Sequence, residues 1–326
     1  MSSHLIEAKQ LKKYFKTPRG LLHAVDDVDF VIDKGNTLGV VGESGCGKST
    51  LGRIILRLIE ATGGQVLYEG VDIYQYSTAL MDKMRPKMQI IFQDPYSSLN
   101  PRMTVSEIIA EPIKVCKTIT GSRRIAQKVD ELMDTVGLAE RFINSYPHEM
   151  DGGRRQRVGI ARALALEPDF IVCDEPVSAL DVSIQAQVLN LLMDLQSERG
   201  LTYMFVTHNL SVVKHISDEI MVMYLGQCVE RAASDELFEA PLHPYTQALL
   251  AAIPIPDLDI ARNVKRIAIR GEVTSPINPK PGCRFAARCP HAVTECTGEN
   301  IPLLEALPGH FVACVRCSAP VGKGRV

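Results

Sequence analysis

The sequence predicts an α/β fold in which strands and helices are arranged around a phosphate-binding loop, and three observations lead to that fold. Residues Gly42–Thr50 match the pattern G-x-x-x-x-G-K-[ST] without a mismatch. The apolar run Leu38–Val41 precedes them with the length of a buried strand, and apolar residues at helical spacing follow from Leu51. The mainly apolar runs Phe170–Glu175 and Thr202–His208 predict two more buried strands, separated by a helical pattern.

The loop itself has the residues that a bound polyphosphate requires. Its glycines permit a sharp turn that aims backbone N–H groups inward, and the following helix contributes the positive end of its dipole. Lys48 is predicted to reach the outer phosphates, and Ser49 is predicted to bind Mg²⁺. The predicted nucleotide-binding residues of the loop are Gly42, Glu43, Ser44, Gly45, Cys46, Gly47, Lys48, Ser49 and Thr50.

Composition narrows the class of protein. The chain has 326 residues, 46% of them apolar, which predicts a large core in one main domain with a smaller domain beside it. A net charge of −2 argues against a dedicated nucleic-acid binder. We expect a soluble, cytoplasmic protein, because the sequence shows no signal peptide and its apolar runs are too short to span a bilayer.

Further elements are predicted on both sides of the loop. Two strands are expected over residues 5–11 and 24–32, and a hairpin over residues 65–73. Tyr14 and Phe15 stand between the first two strands, where an aromatic side chain either stacks on a purine or belongs to the core. Residues 101–137 have apolar side chains at helical spacing, which predicts an inserted helical segment.

Polar side chains follow three of the predicted strands. Gln93 follows one of them, where its amide is placed to sense the metal or the water of a bound nucleotide. Asp174 and Glu175 follow another; strand alternation sends them to opposite sides, so that one holds Mg²⁺ through water and the other faces the attacking water. His208 ends a third strand, at the same end of the predicted sheet.

The order of these motifs resembles the ATP-binding subunits of ABC transporters over about residues 4–255. In this resemblance Gly42–Thr50 is the Walker A loop, Met150–Arg154 the signature, and Phe170–Glu175 the Walker B strand with its catalytic glutamate. The other matched positions are Gln93 in the Q-loop, Ser178–Asp181 in the D-loop, His208 as the switch histidine and Phe15 as the aromatic residue that stacks on adenine. The resemblance implies a P-loop ABC ATPase core over residues 1–255, with an antiparallel β subdomain and a helical subdomain at about residues 100–160.

The resemblance also implies roles for single residues. The catalytic residues are then Lys48, Gln93, Glu175 and His208. Mg²⁺ is then held by Ser49, Gln93 and Asp174. The further contacts to ATP are then made by Asp151, Gly152, Gly153 and Asp181. Two such subunits clasp two ATP molecules, each lying between the Walker A loop of one chain and the signature of the other.

The family implies a set of partners and a location. ATP-driven closure of the two subunits drives two transmembrane permease subunits, which receive solute from an extracytoplasmic solute-binding protein. The subunit is then peripheral at the cytoplasmic face of the membrane and binds no nucleic acid. The groove around residues 93–111 is expected to receive a permease helix, in a socket built from loops. A soluble ABC ATPase acting on DNA or ribosomes is the alternative, which the single cassette and the lack of basic excess disfavour.

The C-terminal part of the sequence indicates which branch of the family the chain resembles. Residues Leu242–Leu250 resemble a segment of the oligopeptide and dipeptide importers, so that import of peptides is expected, with nickel or glutathione-like compounds as alternative solutes. The Pro-rich stretch 254–281 is predicted to be a linker within a regulatory region over residues 256–326.

Five of the nine cysteines fall within residues 283–317. The tail has little apolar content, so a metal centre is predicted to staple it. The resemblance implies that Cys283, Cys289, Cys296 and Cys314 hold a [4Fe-4S] cluster, as in some members. Four thiolates suit zinc as well, and unligated thiols remain a further alternative.

One segment departs from the family pattern. The signature of the family reads Leu-Ser-Gly-Gly-Gln, whereas this chain has Met150-Asp151-Gly152-Gly153-Arg154. A carboxylate about 4 Å from a phosphate charge is repelled by roughly 4 kcal/mol at an effective dielectric constant near 20. Asp151 alternatively caps the helix that it precedes. The departure predicts a heterodimer whose second subunit supplies an unaltered signature.

Overall fold

The computed structural model describes residues 4–253, 271 and 274–317, and these fall into two compact units. The first unit contains residues 4–5, Ile32–Asn36 and Asp72–Val206. The second contains Ile6–Val31, Thr37–Val71 and the described residues from Thr207 onward. Residues 254–270 and 272–273 of the predicted linker lie outside the described residues.

Strands and helices occur in both units. The strands are β1 (His4–Thr17), β2 (Gly20–Asp33), β3 (Thr37–Val41), β4 (Gly63–Tyr68), β5 (Val71–Asp72), β6 (Met88–Ile91), β7 (Phe170–Asp174), β8 (Thr202–Val206), β9 (Glu219–Tyr224), β10 (Gln227–Ala233), β11 (Leu304–Leu307) and β12 (His310–Val312). The α-helices are α1 (Lys48–Ile55), α2 (Thr78–Met84), α3 (Pro95–Ser98), α4 (Val105–Cys116), α5 (Ser122–Thr135), α6 (Gly152–Leu164), α7 (Val182–Arg199), α8 (Leu210–Ile216), α9 (Ser234–Glu239) and α10 (Pro244–Ala251).

The first unit is built on three parallel strands in the order β6, β7, β8. Met88 pairs with Phe170, and Phe170 pairs with Thr202, so the three strands run in register and end at the same edge. All five residues of β7 and of β8 are buried, as expected for parallel strands covered on both faces. Helix α6 packs against α4 and α5 of the inserted helical segment and also against α3 and α7.

The second unit contains an antiparallel sheet in the order β2, β1, β4, β5 and a separate group of strands around β9. In that group β3 lies parallel to β9, and β10 lies antiparallel to it. The C-terminal hairpin of β11 and β12 continues the group, because Glu230 of β10 pairs with Val312 of β12. The predicted strands at residues 5–11 and 24–32 and the hairpin at 65–73 are therefore present, with longer first and second strands.

The cysteine-rich tail is anchored in the second unit by apolar packing and by strand pairing. Its Phe285 is 1% exposed and packs in one hydrophobic cluster with Tyr224 and Tyr245. Its strand β12 is held by backbone hydrogen bonds to β10. The tail therefore shares the core of the second unit, and the metal centre predicted to staple it stays a prediction.

Two smaller expectations also change. The described end of the predicted linker docks on β2: Pro276 accepts a hydrogen bond from the His23 N–H, and Leu22 bridges to Ile277. The socket predicted as loop near residue 95 contains the short helix α3, because the Asp94 carboxylate caps it at the Tyr96 N–H. Within the described part of the chain, no helix combines the length and the apolar character needed to cross a membrane.

Candidate functional site

The phosphate loop joins β3 to α1, as predicted, and its glycines have the backbone conformations that the motif requires. Gly42, Gly45 and Gly47 have φ values of 152°, 80° and 105°. A Cβ atom at Gly47 would lie 1.9 Å from the Ala24 carbonyl oxygen, and one at Gly42 would lie 2.2 Å from the Met223 carbonyl oxygen. Only glycine fits these two positions, since both the conformation and the space exclude a side chain.

Lys48 is the first residue of α1, and its side chain turns back into the loop. The residue is 5% exposed, and its Nζ donates to the Gly42 carbonyl at 2.8 Å and to the Glu43 carbonyl at 3.2 Å. Buried Cys46 lies beside it, with Sγ 3.9 Å from Nζ, and burial raises the pKa of the Cys46 thiol, which keeps it neutral. Ser44 and Gly45 are exposed, while Ser49 and Thr50 are half-buried in the first turn of α1.

Glu43 is held by two side chains that the sequence patterns did not indicate. Its backbone N–H donates to the Tyr245 hydroxyl at 2.9 Å. Its carboxylate accepts two hydrogen bonds from Arg288, with Nη1···Oε2 at 2.8 Å and Nη2···Oε1 at 3.1 Å. These bonds raise the pKa of Arg288 above its ordinary value. Arg288 stands 245 positions after Glu43, so no local pattern relates the two residues.

The two aromatic residues near the start of the chain have different environments. Tyr14 donates from its hydroxyl to Asp26 and stacks on His23, with ring centroids 3.9 Å apart. Its pKa is raised, first by burial and then by the hydrogen bond to Asp26. Phe15 is half-buried, and its ring faces the Lys13 ammonium at 4.9 Å. The Tyr14 side chain is thus bound by Asp26 and His23 of the same unit, whereas the Phe15 ring is partly exposed.

In the first unit, the structure brings Gln93 and Glu175 together. The Gln93 amide Nε2 donates to Glu175 Oε2 at 3.0 Å. Strand β7 ends at Asp174, and Glu175 has φ 47°, in the left-handed region. Strand alternation does not determine the orientation of Glu175, because this residue lies beyond the end of β7, has a left-handed backbone and donates its N–H to the Val206 carbonyl. The division of roles between the two carboxylates stays a prediction.

Asp174 and His208 lie near the ends of neighbouring strands. Asp174 is the last residue of β7 and is buried, with 3% of its surface exposed. His208 follows the end of β8 by two residues and is exposed, so the predicted strand through residue 208 ends at Val206.

The signature segment forms a helix N-terminus with its own cap. Asp151 Oδ1 accepts a hydrogen bond from the Arg154 N–H at 2.8 Å, and its Oδ2 pairs with Arg154 Nη1 at 2.9 Å. Asp151 is exposed, and the Arg154 guanidinium also lies 4.7 Å from the Phe142 ring centroid. The helix cap, which is one of the two predicted roles of Asp151, is therefore present. Arg154 partly neutralises the charge of Asp151 within the same helical turn.

The segment before α7 packs against the signature. Asp181 caps α7, with its Oδ1 accepting from the Ile184 N–H at 3.0 Å. A Cβ atom at Gly153 would lie 2.6 Å from Ile184 Cγ2, and one at Gly152 would lie 3.2 Å from Leu180 Cδ2. Small residues at the signature thus permit close packing against the start of α7. Val182, beside this contact, is 81% exposed.

The C-terminal thiols are neighbours, but they do not form a closed metal site. The pKa of Cys283 is raised to about 11, mainly by burial and to a lesser extent by the charges of Cys296, Cys314 and Cys289. A hydrogen bond from Cys317 lowers the pKa of Cys314 to about 6. None of the nine cysteines, all of which are among the described residues, forms a disulfide bond. Among the described residues, no group of three histidine, cysteine or acidic side chains is gathered as metal ligands.

Comparison with known proteins identifies the family. The ABC transporter model matches residues 25–178, and the model of the oligopeptide/dipeptide transporter C-terminal region matches residues 229–296. The ATP-binding cassette MJ0796, solved as a dimer in a post-hydrolysis state with ADP and Pi, is 29% identical with a TM-score of 0.64, covering 70% of this chain and 98% of that one. For cbiO1 of Clostridium perfringens the identity is 26% and the TM-score 0.65, over 73% of this chain and 92% of that one.

Curated relatives match almost the whole chain. The putative oligopeptide transport ATP-binding protein YkfD of Bacillus subtilis is 54% identical, over 95% of this chain and 94% of its own length. The oligopeptide transport ATP-binding proteins OppF of Bacillus subtilis and of Salmonella typhimurium are 53% and 52% identical, over 96% and 95% of this chain and 97% and 92% of their own lengths. The chain belongs to the ATP-binding subunits of ABC transporters, in the oligopeptide/dipeptide branch.

Proposed function

We propose that this chain binds and hydrolyses ATP to power the import of di- and oligopeptides through an ABC transporter. The observation that carries the proposal is the phosphate loop, in which three glycines have positive φ and the buried Lys48 ammonium is held by the Gly42 and Glu43 carbonyls. The names of the relatives, oligopeptide transport ATP-binding proteins, support peptides as the solute.

The test uses the complete transporter in lipid vesicles. ATP hydrolysis should rise when a peptide-loaded solute-binding protein is added, and peptide should accumulate with it. Stimulation by nickel or by a glutathione-like compound in place of peptide would move the assignment to another solute. Hydrolysis that responds to DNA or ribosomes and not to the permease would contradict transport altogether.

The residues of the site support a division of roles during hydrolysis. Lys48 binds the outer phosphates and offsets the charge that grows on them in the transition state. Glu175 orients or deprotonates the attacking water, and its hydrogen bond from Gln93 holds the carboxylate in place. The aromatic ring of Phe15 stacks on adenine, and His208 contacts the γ-phosphate.

Ser49, Gln93 and Asp174 would hold Mg²⁺. Their hydroxyl, amide and carboxylate oxygens are the hard donors that this ion prefers, and the burial of Asp174 suits a charge that a cation neutralises. When bound, the ion supplies positive charge to the β- and γ-phosphate oxygens. The protein residues align the water and exclude other nucleophiles.

We further assign this chain to a heterodimer of two cassettes. The exposed Val182, the capped Asp181 and the signature turn form a face suited to a second cassette. In the proposed pair, the partner supplies an unaltered signature to this chain's complete phosphate loop, while Asp151 weakens the opposite site. Two permease subunits complete the transporter, with their helices at the groove around residues 93–111, on the cytoplasmic face of the membrane.

The asymmetry has a direct test. Glu175→Gln in this chain should abolish transport, and the equivalent substitution in the partner should reduce it less. Equal loss from both substitutions, or full transport-coupled hydrolysis from this chain paired only with itself, would contradict the heterodimer.

For the C-terminal thiols we propose a [4Fe-4S] cluster held by Cys283, Cys289, Cys296 and Cys314. The mutual electrostatic influence of these thiols indicates that they are neighbours, and four thiolates are the donor set of such a cluster. Protein purified without oxygen should be brown and contain about four iron and four sulfide per chain. Stoichiometric zinc in colourless protein would replace the assignment, and the absence of both metals would remove it.

A further inference from the structure

The C-terminal region holds the phosphate loop, because the forked guanidinium of Arg288 donates two hydrogen bonds to the Glu43 carboxylate. The two parallel hydrogen bonds of 2.8 and 3.1 Å form the bidentate geometry that makes an arginine–carboxylate pair strong and directional. The Arg288 side chain is 9% exposed and that of Glu43 28%. The pair is therefore screened less by water than an ordinary surface ion pair.

Arg288 is itself rigidly placed. It ends the short turn Ala286–Arg288, whose preceding residue Phe285 is buried against Tyr224 and Tyr245, with ring centroids 5.3 Å from each. Its Nη1 also donates to the Tyr224 hydroxyl at 3.2 Å. The Arg288 Nε has no hydrogen-bond partner within the described residues. The orientation in which the guanidinium binds Glu43 therefore leaves one buried donor unsatisfied.

Three groups of Glu43 are held by hydrogen bonds. Its N–H is bound by Tyr245, its carbonyl oxygen accepts from Lys48, and its carboxylate is bound by Arg288. Glu43 directly follows Gly42, the first glycine of the loop. An unpaired carboxylate at this position would repel the phosphates that the loop binds, since both charges are negative.

We infer that Arg288 is a positioning residue for nucleotide binding, which neutralises Glu43 and holds the first half of the phosphate loop in its binding conformation. Tyr245 also holds the loop in this conformation, because its hydroxyl accepts a hydrogen bond from the Glu43 N–H. The inference rests on the proposed binding of ATP at this loop. It makes the C-terminal region part of the nucleotide site of the same chain.

The experiment measures the Kd of a fluorescent ATP analogue for the full chain, with thermal unfolding followed in parallel. Arg288→Gln should raise the Kd about tenfold, because it leaves the Glu43 carboxylate unpaired beside the phosphates. Arg288→Lys should recover part of the affinity, since it restores the charge without the fork. Glu43→Gln should raise the Kd less than Arg288→Gln does, because it weakens the hold on the loop but also removes the charge that repels the phosphates.

The double variant Glu43→Gln/Arg288→Gln separates this role from a structural one. It should bind the analogue more tightly than Arg288→Gln alone, because the carboxylate that needed neutralising is gone. Arg284→Gln is the matched control: Arg284 lies in the same segment but pairs with Asp26 and the Leu225 carbonyl. It should lower the Tm and leave the Kd within about twofold.

The outcomes distinguish this inference from the proposed function. If the unmodified chain does not bind the analogue, the proposed nucleotide site is wrong. If the unmodified chain binds and Arg288→Gln binds equally well, the positioning role is wrong. The role is also wrong if Arg284→Gln weakens binding as much as Arg288→Gln, or if the double variant is no tighter than Arg288→Gln. Should Arg288→Gln not fold, Tyr245→Phe should still raise the Kd, since it removes only the hydroxyl that binds the Glu43 N–H.

Discussion

The phosphate loop and the signature segment are supported in opposite ways. Around Glu43, the supporting side chains are Tyr245 and Arg288, which are distant in sequence. Around Asp151, the cap and the ion pair are both made by Arg154, three positions away. A loop supported from a distance changes when a remote region changes, whereas a self-capped helix start depends only on its own turn. Substitutions in and around the two regions test this difference.

Replacement of Glu175, the proposed general base, should have the largest effect. Glu175→Gln keeps the hydrogen bond from Gln93 available but removes the negative charge that activates water, so the rate of ATP hydrolysis in the assembled transporter should fall by about 10³-fold. ATP affinity should be retained. Steady-state phosphate release together with an ATP-binding titration checks both, and hydrolysis at the unmodified rate would show that Glu175 is not the base.

Lys48→Ala tests the phosphate loop directly. It removes a buried ammonium that supports the Gly42 and Glu43 carbonyls and offsets phosphate charge in the ground state, so the Kd of ATP should rise by about 100-fold. Isothermal titration of the full chain measures it. Affinity within a factor of three of the unmodified chain would contradict the role of Lys48 and leave the loop without its cation.

His310→Gln tests whether the C-terminal hairpin is part of the second unit. His310 and Glu230 are both fully buried, with Nε2···Oε1 at 2.8 Å, and Glu236 lies 3.2 Å from the other ring nitrogen. Burial alone would lower the pKa of His310, but the hydrogen bonds and charges of Glu230 and Glu236 outweigh burial and raise it above 6.5. The variant should lose about 2 kcal/mol of stability near pH 6.

The sign of the pH dependence follows from that raised pKa. Stability from the charged imidazole is fully present below pH 6.5 and is lost as the pH rises through the folded pKa. The difference in Tm between the unmodified chain and His310→Gln should therefore shrink between pH 6 and pH 9. A difference that grows with pH would show that His310 is neutral in the folded chain.

Asp151→Ser should have the smallest effect on stability. Serine is also a good N-cap, so the free energy of unfolding should change by less than about 0.5 kcal/mol. With the carboxylate removed, ATP hydrolysis by the assembled transporter should rise about threefold, as the repulsion at the site covered by this signature disappears. A fall in hydrolysis would indicate that Asp151 itself acts in the reaction.

Local patterns predicted much of the fold and part of the site. The strand, loop and helix around Lys48 follow from a motif whose glycines, cation and apolar flanks are contiguous. The cap made by Asp151 was also readable, because it acts on an N–H three positions later. The backbone of Glu175 was not predicted, because the residue lies past the end of β7 with a positive φ and its N–H donates to Val206 of the next strand.

The bond between Glu43 and Arg288 could not be predicted in this way. It depends on the burial of Phe285 against two tyrosines of the second unit, which brings the turn Ala286–Arg288 to the loop. Charge alone gave no signal, because each residue is one of many acidic or basic side chains in the chain. Contacts between residues so far apart in sequence arise from tertiary packing, which periodicity does not describe.

A chain that ended at residue 253 would keep every Walker and signature residue and would still be an incomplete cassette. It would lose Phe285, Arg288 and His310 together, exposing Tyr224 and Tyr245 and leaving the Glu230 carboxylate buried with two backbone N–H donors, those of Leu242 and His243. Exchange of C-terminal regions between related transporters would succeed only where the incoming segment fits the same tyrosines and the same Glu43. The tail and the phosphate loop are thus expected to be inherited as a pair.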